Sequence, residues 1–130
     1  IAVNLLNLAM VAIGRGAVGR ARGILLEAIT IADGIGSKSA GRAALDVAAG
    51  LAALVADWER AARIFGAAQV ELEQTGIRRE AADEAFLVPL MAKVRSALGE
   101  SAFAAAEAGG RAQNYEEAMA ETRRWIEQSP

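Results

Sequence analysis

Apolar and polar residues recur along the chain with the period of an amphipathic α-helix. In the segment 57–76, Ala61, Ile64, Phe65 and Ala68 follow one another at spacings of three, one and three, which places them on one helical face. Short clusters of Val and Ile occur elsewhere, but none alternates with polar residues for long enough to indicate a strand. The pattern therefore predicts an all-α protein of about six or seven helices.

Residues that favour helix ends divide this pattern into elements. Ser37 and Asp57 each precede an apolar run, where a side-chain oxygen can accept hydrogen bonds from the free N–H groups of a first turn. Gly34, Gly36 and Gly76 follow apolar runs, where glycine commonly ends a helix. The expected helices span 1–13, 17–33, 37–55, 57–76, 78–99, 100–110 and 114–128.

Two features predict irregular structure in the C-terminal part. Pro89 lies inside the fifth expected helix, where it removes one backbone hydrogen bond, so we expect a kink or a break near Leu87. Gly109 and Gly110 are expected to stop the sixth helix.

A repeat of 40 residues relates two parts of the chain. Residues that agree in type or size across this offset are Arg20 and Arg60, Ala21 and Ala61, Ile24 and Ile64, Leu25 and Phe65, Ala28 and Ala68, and Gly36 and Gly76. Repetition at such a period predicts helical hairpins stacked side by side. We expect one domain over 1–128, with a first hairpin at 1–36, a second at 37–76 and irregular helices at 77–128.

The second hairpin resembles the tetratricopeptide repeat (TPR). The run Asp57-Trp58-Glu59-Arg60-Ala61, followed by Phe65 and Ala68, is similar to the turn and second helix of that repeat, and Leu45, Ala48 and Ala49 match its first helix. The spacing is 40 rather than about 34, and neither copy ends with the consensus proline. The resemblance implies TPR-like antiparallel hairpins that stack in a right-handed α–α superhelix.

A second resemblance covers roughly residues 50–121. The runs DWERAARIFGAAQ, ALGESAFAAAEAGG and YEEAMAE are similar to the TPR-like C-terminal region of large bacterial multidomain signalling ATPases and LuxR-type transcriptional regulators. This resemblance implies a non-catalytic interaction or sensing role within a cytoplasmic regulator. Since the chain begins at Ile1, we expect it to be a fragment of a longer protein.

Composition lowers the expectation of catalysis and of nucleic-acid binding. The chain has no cysteine and no histidine, so it lacks the commonest metal ligand and the commonest general base. With 14 basic and 16 acidic residues it has no basic excess for phosphate contacts. Gly14, Gly16 and Gly19 approximate a dinucleotide-binding fingerprint, but a helix rather than a strand is expected before them, so we expect no cofactor.

The first helix carries five of the six residues of the candidate interaction surface, and Asp46 of the third helix is the sixth. The first helix is apolar nearly all round, and a helix of this kind favours neighbours on more than one side, although it could equally be a core helix at the end of the fold. The candidate surface residues are Asn4, Leu6, Asn7, Met10, Ile13 and Asp46. An apolar surface would suit an amphipathic helix or self-association better than a charged peptide. We therefore expect a protein partner, a neighbouring domain of the same chain or a homodimer, and neither nucleic acid nor membrane.

Another function stays open at this stage. An all-helical domain can enclose an apolar small molecule, and a deep, closed cavity near Phe86, Met91 and Phe103 would favour that alternative. An enzyme is the third possibility, and it would require a buried pair of carboxylates for which the sequence offers no strong candidate.

Overall fold

A computed structural model of the chain describes residues 2–128, with side chains from residue 4 onwards. Within these residues the chain forms seven α-helices and no strand, which confirms the all-α prediction and the expected number of helices. Ile1, where the first helix is expected to begin, lies outside this range. The helices are α1 (Ala2–Gly14), α2 (Val18–Ile35), α3 (Lys38–Leu54), α4 (Trp58–Thr75), α5 (Ala81–Leu98), α6 (Glu100–Arg111) and α7 (Tyr115–Gln128).

The expected capping residues lie at both the starts and the ends of helices in the N-terminal part. The side chain of Ser37 accepts a hydrogen bond from the Ala40 N–H at 3.1 Å, and that of Asp57 accepts one from the Arg60 N–H at 3.3 Å. Gly36 and Gly76 follow α2 and α4 with φ angles of 66° and 72°, a left-handed conformation that glycine adopts without strain. Gly34, expected to help end α2, lies inside that helix.

The 40-residue repeat is visible in the backbone. Helices α2 and α4 each have 18 residues and begin 40 positions apart, and a residue with positive φ precedes each of them at the same offset, Gly16 at 71° and Ala56 at 60°. Helix α1 packs on α2, α3 packs on α4, and α3 also contacts both helices of the first pair. Residues 2–76 thus form two hairpins that pack side by side.

Helix α5 continues through Pro89, so of the kink or break expected near Leu87 the break does not occur. Pro89 and Ala85 are both exposed, so the carbonyl that loses its hydrogen bond to the proline lies on the solvent side of the helix. Water can satisfy that carbonyl, while buried Leu87, Met91 and Val94 hold the opposite face against the core.

The expectation that Gly109 and Gly110 stop α6 is wrong, because both lie within that helix. A Cβ added to Gly110 would lie 1.8 Å from the carbonyl oxygen of Arg63 in α4. One added to Gly66 of α4 would lie 2.2 Å from the carbonyl oxygen of Glu107 in α6. These glycines therefore permit the two helices to approach each other closely, which is a tertiary role rather than a terminating one.

Helix α7 lies across α2, α3 and α4. Ala118, Met119, Thr122 and Ile126 of this helix are buried. Towards the C-terminal end of the helix, the indole Nε1 of Trp125 donates a hydrogen bond to Oδ2 of the N-cap residue Asp57 at 3.0 Å. The last helix therefore covers the two hairpins from one side.

Candidate functional site

An open groove of about 390 Å³ runs between α1, α3 and α5, which are the first helices of successive helical pairs. We call it the α1–α3–α5 groove. Helix α1 contributes Leu6, Asn7 and Met10, and the segment between α4 and α5 contributes Ile77 and Arg78. From α3 come Ala40, Arg42, Ala43, Asp46 and Val47, and from α5 come Ala82, Asp83 and Phe86.

The structure brings four of the six candidate surface residues together in this groove: Leu6, Asn7, Met10 and Asp46. Ile13 is 4% exposed and belongs to the core beneath α1. Asn4 is exposed on another side of α1, outside the groove lining. Leu6 and Asp46 are themselves only 4% exposed, so they form the floor of the groove rather than its rim.

A buried ion cluster lies in the floor. Arg79 holds Asp46 with two hydrogen bonds, from Nε to Oδ2 at 3.0 Å and from Nη2 to Oδ1 at 2.9 Å. Arg42 donates to Oδ2 from Nη1 at 2.8 Å. Burial raises the pKa of the Asp46 carboxyl, and the hydrogen bonds and charges of Arg79 and Arg42 act against that rise. Because a buried charge is costly without partners, the two arginines and Asp46 depend on one another.

Arg79 also fixes the segment that joins α4 to α5. Its guanidinium lies over the ring of Phe65 in α4, 5.4 Å from the ring centroid, and its Nη1 lies 3.6 Å from the Glu84 carboxylate in α5. Only 5% of the Arg79 side chain is exposed. One side chain thus connects α3, α4 and α5, so the wall of the groove is held by tertiary contacts.

Charged residues of both signs border the groove. Arg42 lies on α3 and Arg78 lies in the segment between α4 and α5, whereas Glu80 and Asp83 lie at the start of α5. Apolar side chains occupy the space between them, including Phe86, which packs on Gly50. A groove of this kind can bury apolar side chains of a partner and orient charged ones at its edges.

A second open cleft, of about 330 Å³, lies between α4 and α5. We call it the α4–α5 cleft, and it is lined by Phe65, Gln69, Leu87, Met91 and Arg95 among others. The buried Oε1 atom of Gln69 accepts no hydrogen bond from the described residues. Of the three residues expected around a closed cavity, only Met91 lines this cleft, since Phe86 lines the groove and Phe103 is buried in the core.

No metal or dinucleotide site is evident among the described residues. No three acidic side chains within residues 4–128 are grouped so that they could hold a metal ion. Gly14, Gly16 and Gly19 form the turn between α1 and α2 and the start of α2, so a helix precedes the glycines where the dinucleotide fingerprint needs a strand. No helix in the described part of the chain is long and apolar enough to cross a bilayer.

Sequence reasoning missed Arg79, Arg42 and Gln69. Arg42 precedes Asp46 by four residues, a spacing at which opposite charges meet on a helix, so this pair could have been found. Arg79 lies 33 residues from Asp46, and no local pattern indicates their contact.

Comparison of the chain with protein-family models, with curated proteins and with solved structures yields no match. The groove and the cleft are therefore interpreted from their own residues.

Proposed function

We propose that this chain is a non-catalytic protein-interaction or sensing module of a larger bacterial regulator. It binds a helical segment of a partner protein, or of a neighbouring domain of the same chain, in the α1–α3–α5 groove. The supporting observation is the groove itself, with apolar side chains such as Leu6, Met10 and Phe86, charged residues of both signs, and a wall held by the buried ion cluster of Arg42, Asp46 and Arg79.

The groove suits a helix with one apolar face. Leu6, Met10, Val47 and Phe86 border it over the turns of α1, α3 and α5, and the anchors of an amphipathic helix recur at a similar spacing. An apolar anchor of the partner would pack against Leu6, Met10 and Phe86, while its charged residues would meet Arg78 and Asp83 near the start of α5. This arrangement fits a mixed-charge helix better than a uniformly charged tail.

The composition of the chain and its two stacked hairpins support a role within a larger regulatory protein. The net charge of −2 and the absence of histidine and cysteine fit a binding module better than an enzyme or a nucleic-acid-binding domain. The two stacked hairpins resemble TPR-like units, and we propose the same cytoplasmic setting that the resemblance implies.

A displayed library of random peptides tests this proposal. We expect selection on the wild-type chain to enrich peptides with apolar residues at i, i+3 or i+4 and i+7. Ala82→Trp fills the groove from an exposed position of α5, and it should weaken these peptides by about tenfold or more.

The matched control is Ala104→Trp, the same change at an exposed position of α6 that lines neither the groove nor the cleft. It should leave peptide binding unchanged. Peptides that bind the Ala82→Trp variant as tightly as the wild type would contradict the groove as the binding site.

A second candidate function is the binding of a small molecule in the α4–α5 cleft. The observation in its favour is the buried, unpaired Oε1 of Gln69 beside Phe65 and Met91, which could accept a hydrogen bond from an apolar ligand with one N–H or O–H donor. A fragment screen that follows the methyl signal of Met91 by NMR tests this function. Hits should bind less tightly to Gln69→Leu, and hits that bind this variant equally well would count against the cleft.

A further inference from the structure

Two arginine side chains that line the α4–α5 cleft stack on a pair of aromatic rings. The rings of Phe65 in α4 and Phe103 in α6 lie 6.4 Å apart, centroid to centroid. The guanidinium of Arg79 lies over the Phe65 ring, and that of Arg95 lies 4.1 Å from the centroid of the Phe103 ring. Both guanidinium groups are thus held in place at the border of the cleft.

The two arginines differ in how much of their hydrogen-bonding capacity is used. Arg79 is buried and donates two hydrogen bonds to Asp46. The side chain of Arg95 is 45% exposed, and its Nη1 lies 3.7 Å from the Glu100 carboxylate, too far for a hydrogen bond. Glu100 is itself 81% exposed, so this ion pair is weak. Arg95 therefore offers the cleft a positioned guanidinium whose N–H groups are available to an anion.

The other end of the cleft carries hydrogen-bond acceptors. Helices α4 and α5 are joined by the short segment 76–80 and pack on each other, so they run antiparallel, and Gln69 in the C-terminal half of α4 faces the first half of α5. Glu84 lies in that half of α5, about 16 Å from Arg95 along the helix axis. The terminal torsion of a glutamine side chain is soft, so the unpaired Oε1 of Gln69 can turn to a donor in the cleft.

We propose that the α4–α5 cleft binds a small apolar carboxylate that carries an N–H or O–H donor at its other end. The carboxylate pairs with Arg95, and the donor binds Gln69. The apolar body lies between these two groups, on Phe65 and Met91.

Charge fixes the class of the anion and its orientation. One available guanidinium balances the single charge of a carboxylate and can donate two parallel hydrogen bonds to it. The carboxylate lies at the Arg95 end because Glu84 would repel it at the other end. This inference rests on the second candidate function, the binding of a small molecule in the cleft, and adds the chemical class of the ligand and its direction.

Methyl NMR with matched pairs of compounds tests the ligand class. The panel contains indole carboxylates, hydroxyphenyl carboxylates and medium-chain hydroxy acids, each with its uncharged methyl ester. The methyl signal of Met91 reports on the cleft, while those of Met10 in the groove and Met119 in α7 report on binding elsewhere. We expect an acid to shift the Met91 signal and to bind about tenfold more tightly than its ester.

Three changes of charge locate the anion. Arg95→Gln should weaken the acids about tenfold and leave the esters unchanged. The matched control is Lys93→Gln, since Lys93 is an exposed cation of α5 that does not line the cleft, and it should alter neither affinity. Glu100→Gln removes the competing carboxylate and should strengthen the acids about twofold to threefold. All three side chains are exposed, and circular dichroism checks that each variant is folded.

The outcomes separate this inference from the function on which it rests. Acids and esters that shift Met91 with equal affinity would overturn the carboxylate and leave the cleft as a binding site. A preference for acids that survives Arg95→Gln, or that Lys93→Gln removes equally, would overturn the placement of the anion. If uncharged fragments shift Met91 and no acid does, the ligand class is wrong, whereas a Met91 signal that no compound of either set shifts would contradict both.

Discussion

Gly66 and Gly110 lie at one helix crossing, each against the backbone of the other's helix. Gly66 faces the carbonyl of Glu107 in α6, and Gly110 faces the carbonyl of Arg63 in α4. The absence of a Cβ on both sides lets α6 pack on α4 at backbone contact, although glycine lowers the helix propensity of each segment. Helix α6 thus packs on α4 at two residues that have no side chain.

We predict that Gly110→Ala destabilises the protein by about 1–3 kcal/mol, because its Cβ would overlap the carbonyl oxygen of Arg63 and push the helices apart. Gly23→Ala is the control, since this glycine lies within α2 with no atom of another element within 4 Å of an added Cβ. It should stabilise the protein by about 0.5–1 kcal/mol through higher helix propensity. Urea denaturation measures both changes, and a neutral Gly110→Ala would contradict the close crossing.

Asp46→Asn should destabilise the protein by about 3–5 kcal/mol, because Arg42 would lose its carboxylate and buried Arg79 would keep only the exposed Glu84. The control is Glu84→Gln, since Glu84 also pairs with Arg79 but its side chain is 49% exposed. That variant should lower the free energy of unfolding by less than about 0.5 kcal/mol. If chemical denaturation gives similar losses for the two variants, the ion cluster does not hold the groove wall.

The contact between α4 and α7 should weaken in acid. The hydrogen bond from Arg63 lowers the pKa of Glu121 below its ordinary value of 4.5, with further contributions from Gln113 and from the charges of Arg63 and Arg60. A carboxyl whose pKa is lower in the folded state contributes stability above its unfolded pKa, and this contribution is lost as the pH falls through the folded pKa. Glu121→Gln removes it at every pH.

Urea denaturation of the wild type and of Glu121→Gln from about pH 7 to about pH 3 measures this effect. We expect the wild type to be the more stable chain near neutral pH and the difference to shrink below pH 4.5, the ordinary pKa of the carboxyl. A difference that is constant with pH would show that the Glu121 charge does not stabilise the α4–α7 contact.

The two equivalent turns should respond oppositely to exchange of alanine and glycine. Ala56 has a φ of 60° and Gly16 has a φ of 71°, at positions 40 residues apart. Because the left-handed conformation costs an alanine about 1–2 kcal/mol, Ala56→Gly should stabilise the protein by about 1 kcal/mol, and Gly16→Ala should destabilise it by a similar amount. Thermal unfolding compares the two, and changes of the same sign would argue against equivalent turns.

Local chemistry predicted the first two hairpins well. Ser37 and Asp57 cap helices as expected, and Gly36 and Gly76 end them, because each effect depends on residues within one helical turn. The same rule failed at Gly110, where the neighbour that gives the glycine its role is 47 positions away, at Arg63 in α4.

The candidate site was predictable in part for a similar reason. The periodicity of α1 indicated an unusual apolar helix, and Leu6, Asn7 and Met10 do line the groove. Of the two arginines that bind Asp46, Arg79 was not predictable, because it comes from the segment after α4, 33 residues along the chain. Which side of α1 lines the groove and which side, with Leu8 and Val11, is exposed likewise depends on where α3 packs.

Helix α7 bridges the two hairpins on a side that does not line the groove. Arg123 pairs with Asp33 in α2 at 3.2 Å, and Glu121 pairs with Arg63 in α4 at 2.8 Å. Any motion that spreads α2 from α4 has to break these contacts or carry α7 along. The curvature of the paired hairpins, and with it the width of the groove between their first helices, is consequently restrained by a helix that no ligand in the groove would touch.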